Sequence, residues 1–138
     1  MKIGLIGKGA IAGNVRATLE KRGHVIAAIL VRKERVSEDP DLYVGSVSDL
    51  PRDLDIMIDC AGHSALTAYG PEILLRGLDL ITVSLGALAN QQIYDALESA
   101  AMQGSAKLHL VSGAIGALDC LQAARVGKLG RVTYVGRK

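Results

Sequence analysis

An α/β fold, built as a doubly wound parallel sheet with helices on both faces, follows from three features of the 138-residue chain. Short aliphatic runs alternate with helix-period segments along its whole length, the pattern of successive right-handed βαβ units. A glycine-rich turn joins the first run to the first helix. Four segments of small residues, at 7–13, 60–63, 84–87 and 112–116, fall where strands should end. A parallel sheet sets such ends along one edge, where ligands bind in this class.

The first element carries the most information. Lys2-Ile3-Gly4-Leu5-Ile6 reads as a short buried strand, and Gly7-Lys8-Gly9-Ala10-Ile11-Ala12-Gly13 turns from it into a helix. The spacing is G-x-G-x-x-A, the dinucleotide-binding fingerprint. Gly7 permits the tight turn, Gly9 lets a pyrophosphate approach the backbone, and Ala12 lets the helix pack closely on the strand. The N–H groups of Ala10 and Ile11, helped by the helix dipole, then face the phosphates. The alternative is a glycine-rich turn with no ligand, but the strand-turn-helix context makes the fold Rossmann-type.

The helix runs over 11–22, with Ile11, Val15 and Leu19 on its buried face, and Gly23 stops it. Residues 24–31 form an almost wholly aliphatic strand, as expected for one buried on both faces. Its end bears on the choice of cofactor. An acidic residue about 20 positions past the glycines would hold the ribose 2′-OH of NAD. Here the strand runs into Arg32-Lys33-Glu34-Arg35. Arg32 or Arg35 can fork onto a 2′-phosphate, with Lys33 beside them, which favours NADP. The other reading is a solvated charged loop beside an NAD site, with Glu34 reaching the ribose.

Residues 37–41 contain Pro40 and read as a loop, 42–47 as a short third strand and 48–50 as a turn. A strand over 54–60 leads to Ser64, placed to cap a helix over 65–76 that contains Pro71 and ends at Gly77. A strand over 78–85 follows. The next helix, 90–103, has Ile93, Leu97 and Ala101 on one face and Gly104 as its stop. A strand over 106–111, a helix over 118–126, a turn over 127–130 and a last strand over 131–136 complete the pattern.

With the pyrophosphate at the first glycine loop, the later strand ends approach the nicotinamide ribose and ring. Their candidate contacts are Ala61, Gly62 and His63, then Ser84, Leu85 and Gly86. His63 is the one candidate for touching substrate or ring; the alternative is a solvent-facing histidine at a helix start. No residue reads as a convincing general acid or base. Asp59 and Asp119 read as structural.

Composition narrows the function classes. Hydrophobic residues make up 49% and charged ones 22%, with no Trp or Phe and four Tyr, so the core is aliphatic and the class globular. A net charge of +2, without basic clusters interleaved with aromatics, argues against nucleic acid. Cys60 and Cys120 lack C-x-x-C spacing and read as reduced thiols, and the scattered histidines supply no metal site. No apolar run has the length of a membrane span, and no signal-peptide pattern opens the chain. The expectation is a cytoplasmic protein with neither nucleic-acid nor membrane partner.

Cys60-Ala61-Gly62-His63, Val83-Ser84-Leu85-Gly86-Ala87-Leu88 and the tail Val132-Thr133-Tyr134-Val135-Gly136-Arg137-Lys138 resemble the L-aspartate dehydrogenase family. The most specific segment is Ser112-Gly113-Ala114-Ile115-Gly116-Ala117-Leu118-Asp119. The resemblance implies an enzyme that oxidises L-aspartate to iminoaspartate with NAD or NADP. The imine hydrolyses to oxaloacetate or feeds NAD biosynthesis. It also implies that Ala114 contacts the nucleotide and that the full-length enzyme is a homodimer. Members of the family are roughly twice as long, and their second part carries the catalytic histidine, much of the aspartate pocket and the dimer surface. The expectation is therefore one NAD(P)-binding domain over 1–138, inactive or weakly active without that catalytic part. The rivals are a stand-alone NAD(P)-sensing module and the first domain of another imine-handling dehydrogenase.

Overall fold

Strand β1 (Lys2–Ile6) lies at the centre of a six-stranded sheet in the computed structural model, which describes residues 1–112, 126, 127, 130–133 and 135. The other strands are β2 (Val25–Leu30), β3 (Tyr43–Val44), β4 (Ile56–Asp59), β5 (Leu80–Thr82) and β6 (Leu108–Leu110). Their order is β3-β2-β1-β4-β5-β6 and every pairing is parallel. The order reverses direction at β1, giving the doubly wound arrangement with a crevice at the switch point.

Helix α1 (Ala10–Lys21) covers one face, where Val15 and Leu19 pack on Ile3, Leu5, Ile26 and Ile29. Helices α2 (His63–Leu75) and α3 (Gln91–Gly104) cover the other, burying Leu66, Ile73, Leu74 and Leu97 against Ile6, Leu30, Met57 and Leu80. The alternating aliphatic residues of β1 and β2 thus feed both faces, as continuous apolar runs in parallel strands require. Helices α2 and α3 approach closely at Gly70, where a Cβ would come within 2.7 Å of the Leu97 side chain. Pro71 follows inside α2 without ending it.

The register aligns the strand ends. Ile6 pairs with Leu30 and Asp59, Asp59 with Thr82, and Thr82 with Leu110. The loops after β1, β2, β4 and β5 therefore emerge along one edge.

Several boundaries differ from the sequence reading. Helix α2 begins at His63, so Ser64 lies in its first turn and the cap position belongs to Gly62 at φ 100°. No side chain caps it there, and Asp59 takes up the N–H groups of Ala61 and Gly62 instead. Gly104 is the last residue of α3, and the left-handed stop is Ser105 at φ 54°. Gly104 is needed because a Cβ there would strike the Leu74 carbonyl at the end of α2. Gly23 and Gly77 do end their helices, with φ of 78° and 76°. The third strand shrinks to Tyr43–Val44, flanked by 3-10 turns at Lys33–Glu38 and Val47–Asp49. Short polar side chains in these segments favour such turns over ladder pairing. Arg131, Val132, Thr133 and Val135 belong to no strand, and Val126 sits in a turn. The segment from Gly113 to Gly116, Asp119, Cys120 and the rest of the helix expected over 118–126 lie outside the described residues.

Candidate functional site

A cleft of about 440 Å³ opens at the switch point between the β1 and β4 ends. Gly7, Lys8 and Gly9 form its floor, Arg32 and Arg35 one wall, and Cys60, Ala61, Ser64 and Tyr69 the other. Gly7 holds φ at 89°, and its N–H donates to the Leu30 carbonyl at 2.9 Å. A Cβ on Gly7 would sit 2.7 Å from that of Ala61. The first glycine therefore serves both the turn and the fit between two loops.

Gly9 is different. It caps α1 with extended backbone, at φ −74° and ψ −174°, and a Cβ there would meet nothing within 4 Å. The open space lies over the first turn of α1, where Ala10 and Ile11 are exposed. Such a cradle, which a side chain would fill, fits a pyrophosphate laid against the helix N-terminus. Ala12 is buried, as close helix packing demands.

The charged residues beyond β2 divide. Arg35 lines the cleft, Lys33 and Glu34 line a neighbouring hollow with Gly45, Ser46 and Glu72, and Arg32 lies between the two and lines both. Among the described residues, no carboxylate forms an ion pair with Arg32 or Arg35. Lys8, which carried no role in the sequence reading, pairs with Glu38 and lies over the Tyr43 ring, 5.3 Å from its centroid. It adds a third cation to the cleft, and its place as the variable residue of the glycine turn was the only sequence signal for it.

On the other side the strand-end loops are tied together. His63 is exposed at the start of α2, and its ring lies against Gly86, where a side chain would collide with it. The segments around Ala61 and around Leu85 and Gly86 are thus brought together as expected. Ser84 is 3% exposed, and its hydroxyl donates to Asp59 at 2.6 Å, so it faces inward. Cys60 is buried and free, as expected of a small hydrophobe, and its thiol is pushed up to about 11 by burial and then by the nearby Asp59 charge. Ala114 lies outside the described residues.

No Asp, Glu or His lines the cleft among the described residues. Nor is any group of three or more His, Cys, Asp or Glu arranged there to hold a metal. No described helix is long and apolar enough to cross a membrane.

The family model for the homoserine dehydrogenase NAD binding domain matches residues 7–111, from the first glycine of the turn to the end of β6. The chain belongs to that family. This NAD-binding domain is also similar to the L-aspartate dehydrogenase of Ruegeria pomeroyi. The two are 44% identical over 142 aligned residues, covering all of this chain and 51% of the relative. The resemblance in the sequence motifs therefore extends over the whole domain, which spans about half the length of the curated relatives it matches. Among solved structures, aspartate dehydrogenase from Thermotoga maritima superposes with a TM-score of 0.67 at 24% identity, over 91% of this chain and 52% of that one. A WlbA dehydrogenase from Bordetella pertussis, solved with NADH and UDP-GlcNAcA, gives 0.64 at 17%, over 80% and 34%. At those identities the agreement is one of fold.

Proposed function

We propose that this chain is the cofactor-binding part of an L-aspartate dehydrogenase and that it takes NADP in preference to NAD. The reaction is oxidation of L-aspartate to iminoaspartate, which hydrolyses to oxaloacetate or enters NAD biosynthesis. When bound, the dinucleotide accepts hydride from the carbon bearing the amine. The chain's own residues bind and orient it. Gly9 and the first turn of α1 receive the pyrophosphate, and Arg32 and Arg35 receive the 2′-phosphate. Ala61, Gly62, His63, Leu85 and Gly86 flank the nicotinamide half. The cleft contains no carboxylate or histidine among the described residues, so the chain alone turns over aspartate poorly or not at all. The complete enzyme is a cytoplasmic homodimer on this reading.

The observation that carries the cofactor preference is that Arg32 and Arg35 share the cleft with Gly7 and Gly9, while Glu34 lines the hollow beside it. A charge-assisted hydrogen bond contributes about 1.5–3 kcal/mol, reduced toward about 1 kcal/mol by solvent at an exposed loop. Since about 1.4 kcal/mol is a factor of ten, NADPH should bind several-fold to tenfold more tightly than NADH. Calorimetric titration of the chain with each at low salt measures this. Equal affinities would make the cationic turn a solvated face and Glu34 the ribose ligand.

A further inference from the structure

We propose that Asp59 is a positioning residue for the nicotinamide half of the cofactor, locking the loops after β4 and β5 into one platform; this rests on the dinucleotide-binding reading above. Asp59 ends β4, in register with Ile6 on one side and Thr82 on the other. Its neighbours at the ends of β1 and β2, Ile6 and Leu30, are aliphatic, and burial alone would ask the same here. Instead the side chain is a fully buried carboxylate with no cationic partner among the described residues.

Four donors compensate it. One oxygen, Oδ1, accepts the N–H of Ala61 at 2.9 Å and that of Gly62 at 3.3 Å. The other, Oδ2, accepts the hydroxyls of Thr82 at 2.8 Å and Ser84 at 2.6 Å. Thr82 Oγ1 in turn accepts the Ser84 N–H at 2.9 Å. A carboxylate has about four lone-pair sites, and here each has a donor. One side chain thus fixes the backbone of two loops that sequence separates by more than twenty residues. It also orients Gly62 at φ 100°, which delivers His63 onto Gly86.

The strand order confines the effect to one half of the ligand. With a pyrophosphate at Gly7 and Gly9, the adenosine end lies toward β2 and its arginines, and the nicotinamide end toward β4 and β5. The test is calorimetry on the full chain with NADP⁺ and with adenosine 2′,5′-bisphosphate, which lacks the nicotinamide half. Asp59→Leu should lose about tenfold or more for NADP⁺ and less than about twofold for the bisphosphate, the scale of lost charge-assisted hydrogen bonds. Asp59→Asn keeps an oxygen acceptor for the two N–H groups but turns a donor toward the Thr82 and Ser84 hydroxyls, which must reverse to accept from it, so it should recover only part of the affinity lost in Asp59→Leu. Ser84→Ala keeps the fold if Asp59→Leu does not, and should cost about two- to fivefold for NADP⁺ alone. Equal losses for both ligands, or unchanged NADP⁺ affinity in the folded variants, would overturn the assignment while leaving the cofactor reading intact. A wild-type chain that binds neither ligand would overturn the cofactor reading and this assignment with it.

Discussion

Beyond the end of β2, Arg32 and Arg35 stand exposed on a 3-10 turn with no ion-pair partner among the described residues. At the ends of β4 and β5, Asp59, Thr82 and Ser84 are buried and every one of their side-chain polar atoms has a partner. The two sides flank one cleft and work by opposite means. Exposed cations can raise affinity for an anion without contributing to the fold, but salt screens them. A buried network holds backbone in place and is indifferent to salt, but altering it leaves donors unsatisfied. Function on the β2 side should therefore separate from stability, and on the β4–β5 side the two should be coupled.

The largest test of that contrast lies between the two glycines. Gly7 belongs to the packed side: Ala there combines a left-handed φ with a contact of 2.7 Å to the Ala61 Cβ. Strain and overpacking together should cost about 2–5 kcal/mol, read as a fall in urea midpoint. Gly9 belongs to the open side. Gly9→Val puts its side chain into free space at an ordinary φ and loses only a favourable N-cap residue, so stability should fall by no more than about 1 kcal/mol while dinucleotide affinity falls more than about tenfold. A Gly9→Val protein that is folded and binds normally would remove the pyrophosphate from this turn.

The same contrast explains what the sequence revealed. The strand-turn-helix context of Gly7, Gly9 and Ala12, and the alternation of aliphatic runs with helical segments, were legible because each is a local pattern with one physical meaning. The parallel sheet and its shared edge followed from them. The partners of Asp59 were not legible, because Thr82 and Ser84 lie more than twenty positions away and become neighbours only through the β4–β5 register. Ser84 looked like a cofactor contact for the same reason, and its inward hydrogen bond is a tertiary fact. Gly104 was correctly read as ending a helix but for the wrong reason, since the close approach of the α2 carbonyl cannot be seen locally. The third strand, expected over 42–47, is shorter because the 3-10 turn at Val47–Asp49 ends the ladder at Val44.

An intermediate effect is expected at Arg32. Arg32→Ala should weaken NADPH about five- to tenfold at low ionic strength and leave NADH nearly unchanged, because only the 2′-phosphate needs the guanidinium. Its melting temperature should stay within about 1–2 °C of wild type, as for surface substitutions generally. The preference for NADPH should shrink as salt rises from about 0.01 M, where the screening length is about 30 Å, to 1 M, where it is about 3 Å. Loss of stability alongside affinity would mean that the β2 side is built like the β4–β5 side, and the contrast would fail.

The smallest effect separates two adjacent cations. In the sequence Lys33 stands directly beside Arg32, and both follow β2. The fold gives only one of them access to the cleft. Arg32 stands between the glycine cleft and the neighbouring hollow and lines both, whereas Lys33 lines the hollow alone, with its Cγ only 3.2 Å from where a Gly45 Cβ would stand. Its aliphatic stem packs on the β3 loop, the residue as a whole is exposed, and Glu34 and Glu72 line the same hollow. At physiological ionic strength, where screening acts over about 8 Å, such a charge contributes little to a phosphate in the cleft. Lys33→Ala should therefore change NADPH affinity by less than about twofold, corresponding to under about 0.4 kcal/mol. Lys33→Glu, which reverses the charge, should cost more at low salt and converge on Lys33→Ala as salt rises. Titration of the three variants at two salt concentrations decides the point. A loss at Lys33→Ala equal to that at Arg32→Ala would place the 2′-phosphate between the two hollows and enlarge the binding site to include both.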